Sequence, residues 1–509
     1  MLPRSLGLVL SVVLLALCAS ASAQSLELNM LGGGLGESFT VEISGPPGAD
    51  YLVVASTTTG PTPLPPPHIP YIDVGVELLS FSMSVPGFWS TLPASGFVSL
   101  TYGLAYNTSL DNRNFNFQVL RLSGNVVVEK SNLWRLTLEI PGEYAHTLEP
   151  LNVARAFTTA SELQDGTVLV AGGNSGSLVS AAGLASAELY HVNLESFDLL
   201  PPMHSARTLH RATTLADGRV LLTGGVNASG TPISAAEVYD PAVRSFQPVA
   251  SLSVPRVGHS ATLLPDGRVL IAGGSSSFSS ISSFATSSRD TTEIFDPAGN
   301  SFSAGPVLSE VKTFHEAVAL ADGRVLISGG ITYQYILGVP VLSLSDVNQL
   351  YTPSAGSGTF GSDLQMGTAR AGHTAILLDD GSALLVGGAT GSVYAPTVLA
   401  STERFDPAGG SFSSAGALSD PRVLTALVRL PNGNIMASGG IQGDILNPTA
   451  VSSCDAFDQG AGSWSPLANL LGTRSGHGAL LLSDGTVGLF GGGGGSTDTA
   501  LDTAEIYQP

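Results

Sequence analysis

The sequence predicts an all-β protein, a seven-bladed β-propeller preceded by a small β-sandwich. Three observations lead there. Of the 509 residues 61 are glycine and 31 proline, while only 12% are charged, a composition of many tight turns and few long helices. One string of residues recurs seven times between position 155 and the C-terminus with a period near fifty, the mark of a repeat architecture rather than of one ordinary core. Ahead of the repeats, some 120 residues hold short stretches of strand length in which apolar and polar residues alternate.

The first element in chain order is an address. Arg4 precedes the apolar run "LGLVLSVVLLAL", which leads to "ASASAQ" with Ala21 and Ala23 at the −3 and −1 positions of a cleavage site. This is the pattern of a secretory signal over residues 1–23, so the mature chain is expected to be secreted or on the cell surface, extracellular or periplasmic. A lipoprotein signal modified at Cys18 is the rival reading, weakened by Leu17 at a position where such signals prefer a small residue. No later stretch reaches the roughly eighteen unbroken apolar residues of a spanning helix, so membrane insertion is not expected.

Residues 24–142 form the second element. The stretches "SFTVEIS", "DYLVVAS", "ELLSFSMSV", "FVSLTYGLAY", "FNFQVLRL", "NVVVEK" and "LWRLTLEI" read as strands of a β-sandwich that resembles an immunoglobulin-like module without its cysteine pair. The insert "GPTPLPPPHIP" reads as a proline-stiffened loop. Beyond the signal Cys454 is the sole cysteine, so no intrachain disulfide is expected and packing must supply the stability. Two N-x-Ser sequons, at Asn107 and Asn227, offer glycan acceptors in a eukaryote.

The third element, residues 143–509, is the repeat. Its copies open on Arg155, Arg207, Arg256, Lys312, Arg370, Arg422 and Arg474, and 17 residues after each comes the first glycine of a Gly-Gly pair. Between the two marks lies an Asp-Gly or Asn-Gly pair, beginning at Asp165, Asp217, Asp266, Asp322, Asp380, Asn432 and Asp484. Such pairs predict two-residue hairpin turns of the primed type. Counted outward from the turn, Ala216 then faces Arg219 and His210 faces Gly225. The absence of a Cβ in the glycine pair lets a large neighbour or the next sheet approach closely. An acidic or amide residue follows, then an aromatic two later, as in Glu188 and Tyr190 or Glu237 and Tyr239, and a further aromatic such as Phe197 or Phe246. Each copy is thus four short strands, the make-up of a propeller blade.

These marks, most complete in "RTLHRATTLADGRVLLTGG…AAEVYDPAVRSF", resemble the kelch repeat, and the resemblance covers 367 of the 509 positions. It departs from the pattern where the later aromatic is Trp only at Trp464 and where Asp455 replaces the usual Glu. The seventh copy ends at "AEIYQP" without a fourth strand. A segment near 143–149, carrying Tyr144 ahead of Arg155, is expected to complete the last blade and close the ring.

Five histidines, His210, His259, His315, His373 and His477, share one repeat position, where blades one and six carry Thr158 and Thr425. A zinc site needs nitrogens about 2.0–2.1 Å from one ion, whereas side chains on separate blades face separate packing surfaces. Hence the histidines are read as scaffold, as are Arg370, Asp379 and Asp380 in "RAGHTAILLDDGSALLVGG". The kelch resemblance admits enzymes, among them galactose-oxidase-like copper radical oxidases and a sialic-acid epimerase. A copper oxidase of that type needs a Tyr cross-linked to Cys, a second Tyr and His ligands. Cys454 lies beside the third-strand motif of blade six, and no segment after the seventh copy lends a ligand. No acid–base pair stands outside the repeated positions.

No catalytic residue, metal ligand or cofactor is therefore expected, and function is placed where the repeats differ. The loops between the second and third strands of blades three to five carry Phe278, Phe284, Arg289, Tyr333, Tyr335 and Tyr394, the candidate ligand-binding residues. Either these aromatics present a surface across adjacent blades, or they bury themselves to order their own loops. The leading expectation is a secreted, non-catalytic, monomeric binding protein whose loop face takes a protein or glycan ligand. The alternatives are an extracellular carbohydrate-active enzyme of the kelch type, oxidase or epimerase, and a structural surface component. A net charge of −20 with two lysines, Lys130 and Lys312, argues against nucleic acid and anionic membrane as partners.

Overall fold

The computed structural model describes residues 26–32, 38–57, 59–64, 71–74, 85–86, 88–103, 113–123, 126–138, 144–147, 150–176, 182–443, 448–495 and 499–509. The expected signal, Asn107 and most of "ELLSFSMSV" lie outside these residues. The chain divides into two units between Pro141 and Gly142.

In the first unit a three-stranded antiparallel sheet, Glu27–Gly32, Ser38–Ser44 and Phe97–Gly103, faces a second sheet built on Asp50–Ser56 and Arg113–Ser123. Alternate residues of both sheets meet in one core, with Leu28, Val41 and Ile43 against Val53, Phe117, Val119 and Trp134. This is a β-sandwich. The proline-rich insert differs in part from expectation, because Thr59–Pro63 pairs with Tyr71–Val74. A two-stranded ribbon has open edges, where proline's missing N–H leaves no ladder bond unmade.

The second unit is a propeller of seven antiparallel sheets. Blade two shows the plan, with Arg211–Thr214, Val220–Thr223, Ala236–Asp240 and Ser245–Pro248 adjacent in chain order. The second strand of every blade is buried at all four positions, which is why it reads as an unbroken run of small and apolar residues. The two aromatics of each copy are cross-strand partners, Tyr190 opposite Phe197 and Tyr239 opposite Phe246. Their ring centroids lie 5.0 Å apart in both blades. In blade four the second aromatic comes two residues later, yet Phe360 still pairs with Tyr351, the extra residues going into the turn.

The turn at the Asp-Gly pair corrects the sequence expectation. In blade two Leu215 N donates to Arg219 O at 2.7 Å and Gly218 N to Leu215 O at 3.0 Å, so three residues, Ala216 to Gly218, form the loop. Only the glycine takes positive φ, 85° at Gly218, as in a type I turn followed by a glycine bulge. The preceding acid holds it there, since Asp217 Oδ1 accepts the Arg219 N–H at 3.1 Å. All seven copies repeat that bond. Pairing is therefore one residue out from the count, and Arg211 sits opposite Thr223.

Blade seven is closed by two distant segments. Gly478–Leu481, Val487–Phe490 and Ala504–Tyr507 are joined by Tyr144–Thr147, which pairs antiparallel with Ala504–Tyr507.

Candidate functional site

The repeated marks form a belt of interlocking buried groups. Arg370 is fully buried, its Nη1 donating to Gly387 O at 2.8 Å and Ser401 O at 3.1 Å, its Nη2 to Glu403 Oε1 at 2.7 Å. Glu403 also accepts the Gly367 and Thr368 N–H groups. Six blades carry this buried Arg–carboxylate pair. Blade four carries neutral Gln349 at the carboxylate position, and there Lys312 pairs with Glu310 at 2.6 Å. Charge is balanced locally in every blade, as burial demands.

The glycine pair links blade to blade. Its second member donates to the carbonyl of the next blade's basic residue, Gly225 N to Arg256 O at 2.8 Å and so on round to Gly492 N to Arg155 O at 2.8 Å. A Cβ on Gly224 would lie 2.8 Å from His259 Cε1, and one on Gly225 2.9 Å from His210 Cβ. The histidines fill the space the glycines leave. Each bonds a hydroxyl through Nε2: His210 with Thr159, His259 with Thr223, His315 with Ser260, His373 with Ser328 and His477 with Ser438. Burial is the first cause that holds all five imidazoles below their ordinary pKa, His315 and His477 at about 3, with the nearby Arg and Lys charges adding to it. They are neutral packing groups. Among the described residues no three His, Cys, Asp or Glu side chains converge as metal ligands.

The loop face is different. The residue after each basic residue bridges to the one following the glycine pair, as Thr313 to Ile331 and Ala371 to Ala389, so entry loops and second-to-third-strand loops share this face. The second residue after each basic residue has left-handed φ in all seven blades: Phe157, Leu209, Gly258, Phe314, Gly372, Leu424 and Gly476. Backbone bonds join four of them to the one before, Phe157 N to Gly476 O, Phe314 N to Gly258 O, Gly372 N to Phe314 O and Leu424 N to Gly372 O. Bulky residues in this conformation cost about 1–3 kcal/mol each, so Phe157, Leu209, Phe314 and Leu424 are strained choices at positions where glycine is free.

The three glycines of this ring differ. A Cβ on Gly476 would stand 2.4 Å from the Phe157 ring, and one on Gly258 2.7 Å from Thr313 Oγ1 with Phe314 close behind. On Gly372 it would meet nothing nearer than Val423 Cβ at 3.8 Å. Above this unfilled glycine lies a cavity of about 380 Å³, floored by Phe314, Gly372 and Leu424. Its walls are the helix Ile281–Thr286 of blade three and three hairpins. Those are Ile331–Ile336 with Val339–Leu344, Ala389–Ser392 with Ala395–Val398, and Ile441–Gln442 with Thr449–Ala450. Among the described residues its lining has no charged side chain, and the hydroxyls there are Ser279 and Ser280 at the exposed rim.

The six sequence candidates divide around this cavity. Phe278 and Phe284 line it, edge to face at 5.7 Å, with Phe284 also 5.2 Å from Phe314; both belong to a buried apolar cluster rather than to an exposed surface. Tyr394 is 61% exposed and its hydroxyl lies 3.1 Å from Ser282 Oγ, tying blade five's hairpin to blade three's helix. Tyr333 and Tyr335 stand apart from the lining, stacked edge-on at 5.6 Å, with Tyr335 65% exposed. Arg289 is a loop anchor, its Nη2 donating to Ser276 Oγ at 2.8 Å. Beyond Tyr335 the hairpin tip turns at Leu337 and Gly338, both at positive φ, and Leu337 is fully exposed. Sequence reasoning passed over Phe314, Gly372 and Leu424. The signal was there, in the one column of the repeat where Phe, Leu and Gly alternate.

No family model matches the chain, and no curated protein matches it. Among solved structures, a fungal alcohol oxidase of the AA5 family in complex with copper superposes with a TM-score of 0.58 at 20% identity, over 72% of this chain and 76% of that one. A protein named YjhT superposes with a TM-score of 0.42 at 13% identity, over 70% of this chain and 95% of that one. The ring histidines are buried with Nε2 on hydroxyls, and Cys454 is buried in the core between blades six and seven. The likeness to the oxidase is one of fold alone, over about three quarters of each chain.

Proposed function

We propose that the chain is a secreted, non-catalytic binding protein whose seven copies are divergent kelch-type repeats and whose loop face holds the ligand. The observation that carries this reading is the cavity over Gly372. It has the size and the apolar character of small-molecule sites, and it lies where the variable loops of blades three to six converge. Rigid repeats below and variable hairpins above are the usual division between scaffold and binding surface. The uncharged hairpin tip with Tyr335, Ile336 and Leu337 adds an exposed contact beside it.

A second reading, an extracellular enzyme, is favoured by one finding: the neighbour that superposes on the propeller is an oxidase. The supporting likeness is of fold alone. A screen of residues 24–509 decides between them. Glycans, extracellular proteins and small molecules are tested for binding, and sugars and alcohols for turnover with copper supplied. Saturable binding without turnover is the expected result; peroxide release or epimerised product would overturn it in favour of the enzyme.

A further inference from the structure

We infer that the slot over Gly372 is a site for a neutral, apolar small molecule of two to three aromatic rings. This rests on the binding reading and adds the ligand's chemistry. Gly258 and Gly476 share Gly372's repeat position and left-handed φ, yet at both a neighbour's atoms come within 3 Å of where a Cβ would stand. Only at Gly372 is the place left open, and the helix of blade three and the hairpins of blades four to six wall it rather than cover it.

The lining selects the ligand. At about 380 Å³ the cavity is some two to three times the roughly 150 Å³ space that admits one benzene. Phe278, Phe284 and Phe314 offer ring faces and edges of the kind that pack against aromatic partners. The two rim hydroxyls already hold partners within their own loop: Ser280 Oγ accepts Ser283 N at 3.1 Å, and Ser279 Oγ lies 2.8 Å from Ser283 Oγ. A sugar in the slot would leave most of its hydroxyls without side-chain partners among the described residues, which is costly. A chain of net charge −20 also disfavours anionic amphiphiles. What remains is an uncharged ring system.

The test titrates the full mature chain with N-phenylnaphthylamine, an uncharged probe that fluoresces in apolar surroundings. One saturable site is expected. Gly372→Leu places in the slot the residue that Leu209 and Leu424 already carry at this position with φ near 50°, and it should weaken the probe at least tenfold with melting unchanged within a few degrees. Should that variant fold poorly, Leu424→Gly removes part of the floor while relieving the backbone and should alter affinity at least threefold. Leu209→Gly, the same relief away from the lining, should not. No saturable site in the wild type, or equal binding by Gly372→Leu, overturns the inference and leaves the binding reading to the hairpin tip. Probe binding in the slot together with substrate turnover would sink the non-catalytic reading and keep the slot.

Discussion

Gly476 and Gly372 occupy the same place in two blades, with φ of 54° and 63°, and their surroundings are opposite. Against Gly476 lies the ring of Phe157; a Cβ on Gly372 would meet Val423 and Leu424 only at ordinary contact distance, 3.8 and 4.0 Å. The same contrast runs through the molecule. In the belt the marks answer one another, arginine meeting carboxylate in six blades and each ring histidine meeting a hydroxyl through Nε2. Over blade five the pattern is kept and the answer is missing. A site in a repeat protein is marked less by a residue that departs from the motif than by a motif residue whose neighbour has not filled its space. Belt changes should therefore cost stability, and slot changes should cost binding.

The largest effect expected in the belt comes from acid. Below about pH 6.5 the unfolded chain protonates its histidines, while the five buried ones stay neutral because desolvation holds them below that value. The unfolded state then binds more protons, so stability falls as pH falls, by up to about 1.4 kcal/mol per histidine per pH unit. The loss continues toward the native value of about 3 at His315 and His477. Denaturant unfolding at about pH 7.5 and 5.5 should differ by several kcal/mol. Each His→Thr change, the residue already standing at Thr158 and Thr425, should narrow that gap by about 1.4 kcal/mol. An unchanged gap in all five variants would show that the imidazoles are protonated in the native protein.

Next in size is the buried ion pair. Arg370→Met strands Glu403, whose side chain is 8% exposed, and should cost about 3–5 kcal/mol. Adding Glu403→Gln should restore part of it, following Gln349 of blade four. Binding by the folded fraction should be unaltered, since neither residue lines the cavity. A selective loss of binding would erase the distinction between belt and slot.

The belt was legible in sequence because its residues depend on local rules that repeat: a basic residue to bond the glycine carbonyl, an acid to cap a turn, glycines where the next blade presses close. The clasp was legible as a fourth strand lacking after "AEIYQP" and an aromatic in surplus before Arg155. Turn length was misjudged because an Asp-Gly pair suits both a primed turn and a three-residue loop; the acid's side-chain bond to the N–H two residues on decides for the latter. The cavity was not legible, because it depends on what Phe157, Phe314 and Val423 do to a glycine in the adjacent blade, and no single copy contains that relation. Phe278 and Phe284 were picked out for aromatic character alone, which does not say that both rings turn inward.

Gly476→Leu sets the comparison directly against Gly372→Leu. The first drives a side chain into the Phe157 ring, an overpacking of about 1–3 kcal/mol, whereas the second enters open space. Equal melting temperatures for the two would mean that the Phe157 contact yields at no cost, and the contrast between filled and open positions would lose its physical basis.

The smallest effect on stability should come from the exposed tyrosines. Tyr335 and Tyr394 are 65% and 61% exposed, and surface substitutions usually shift stability by about 0.5 kcal/mol or less. Tyr335→Ala should fall within that range and leave probe binding in the slot unchanged, since Tyr335 does not line the cavity. Tyr394→Ala removes the hydroxyl that reaches Ser282 across the rim, so it should loosen the hold of blade five's hairpin on blade three's helix. Its signature is a faster probe off-rate with melting almost unmoved. If both changes lower the melting point by several degrees instead, the tyrosines belong with the belt, ordering their own loops, and the boundary between scaffold and site must be drawn nearer to Gly372.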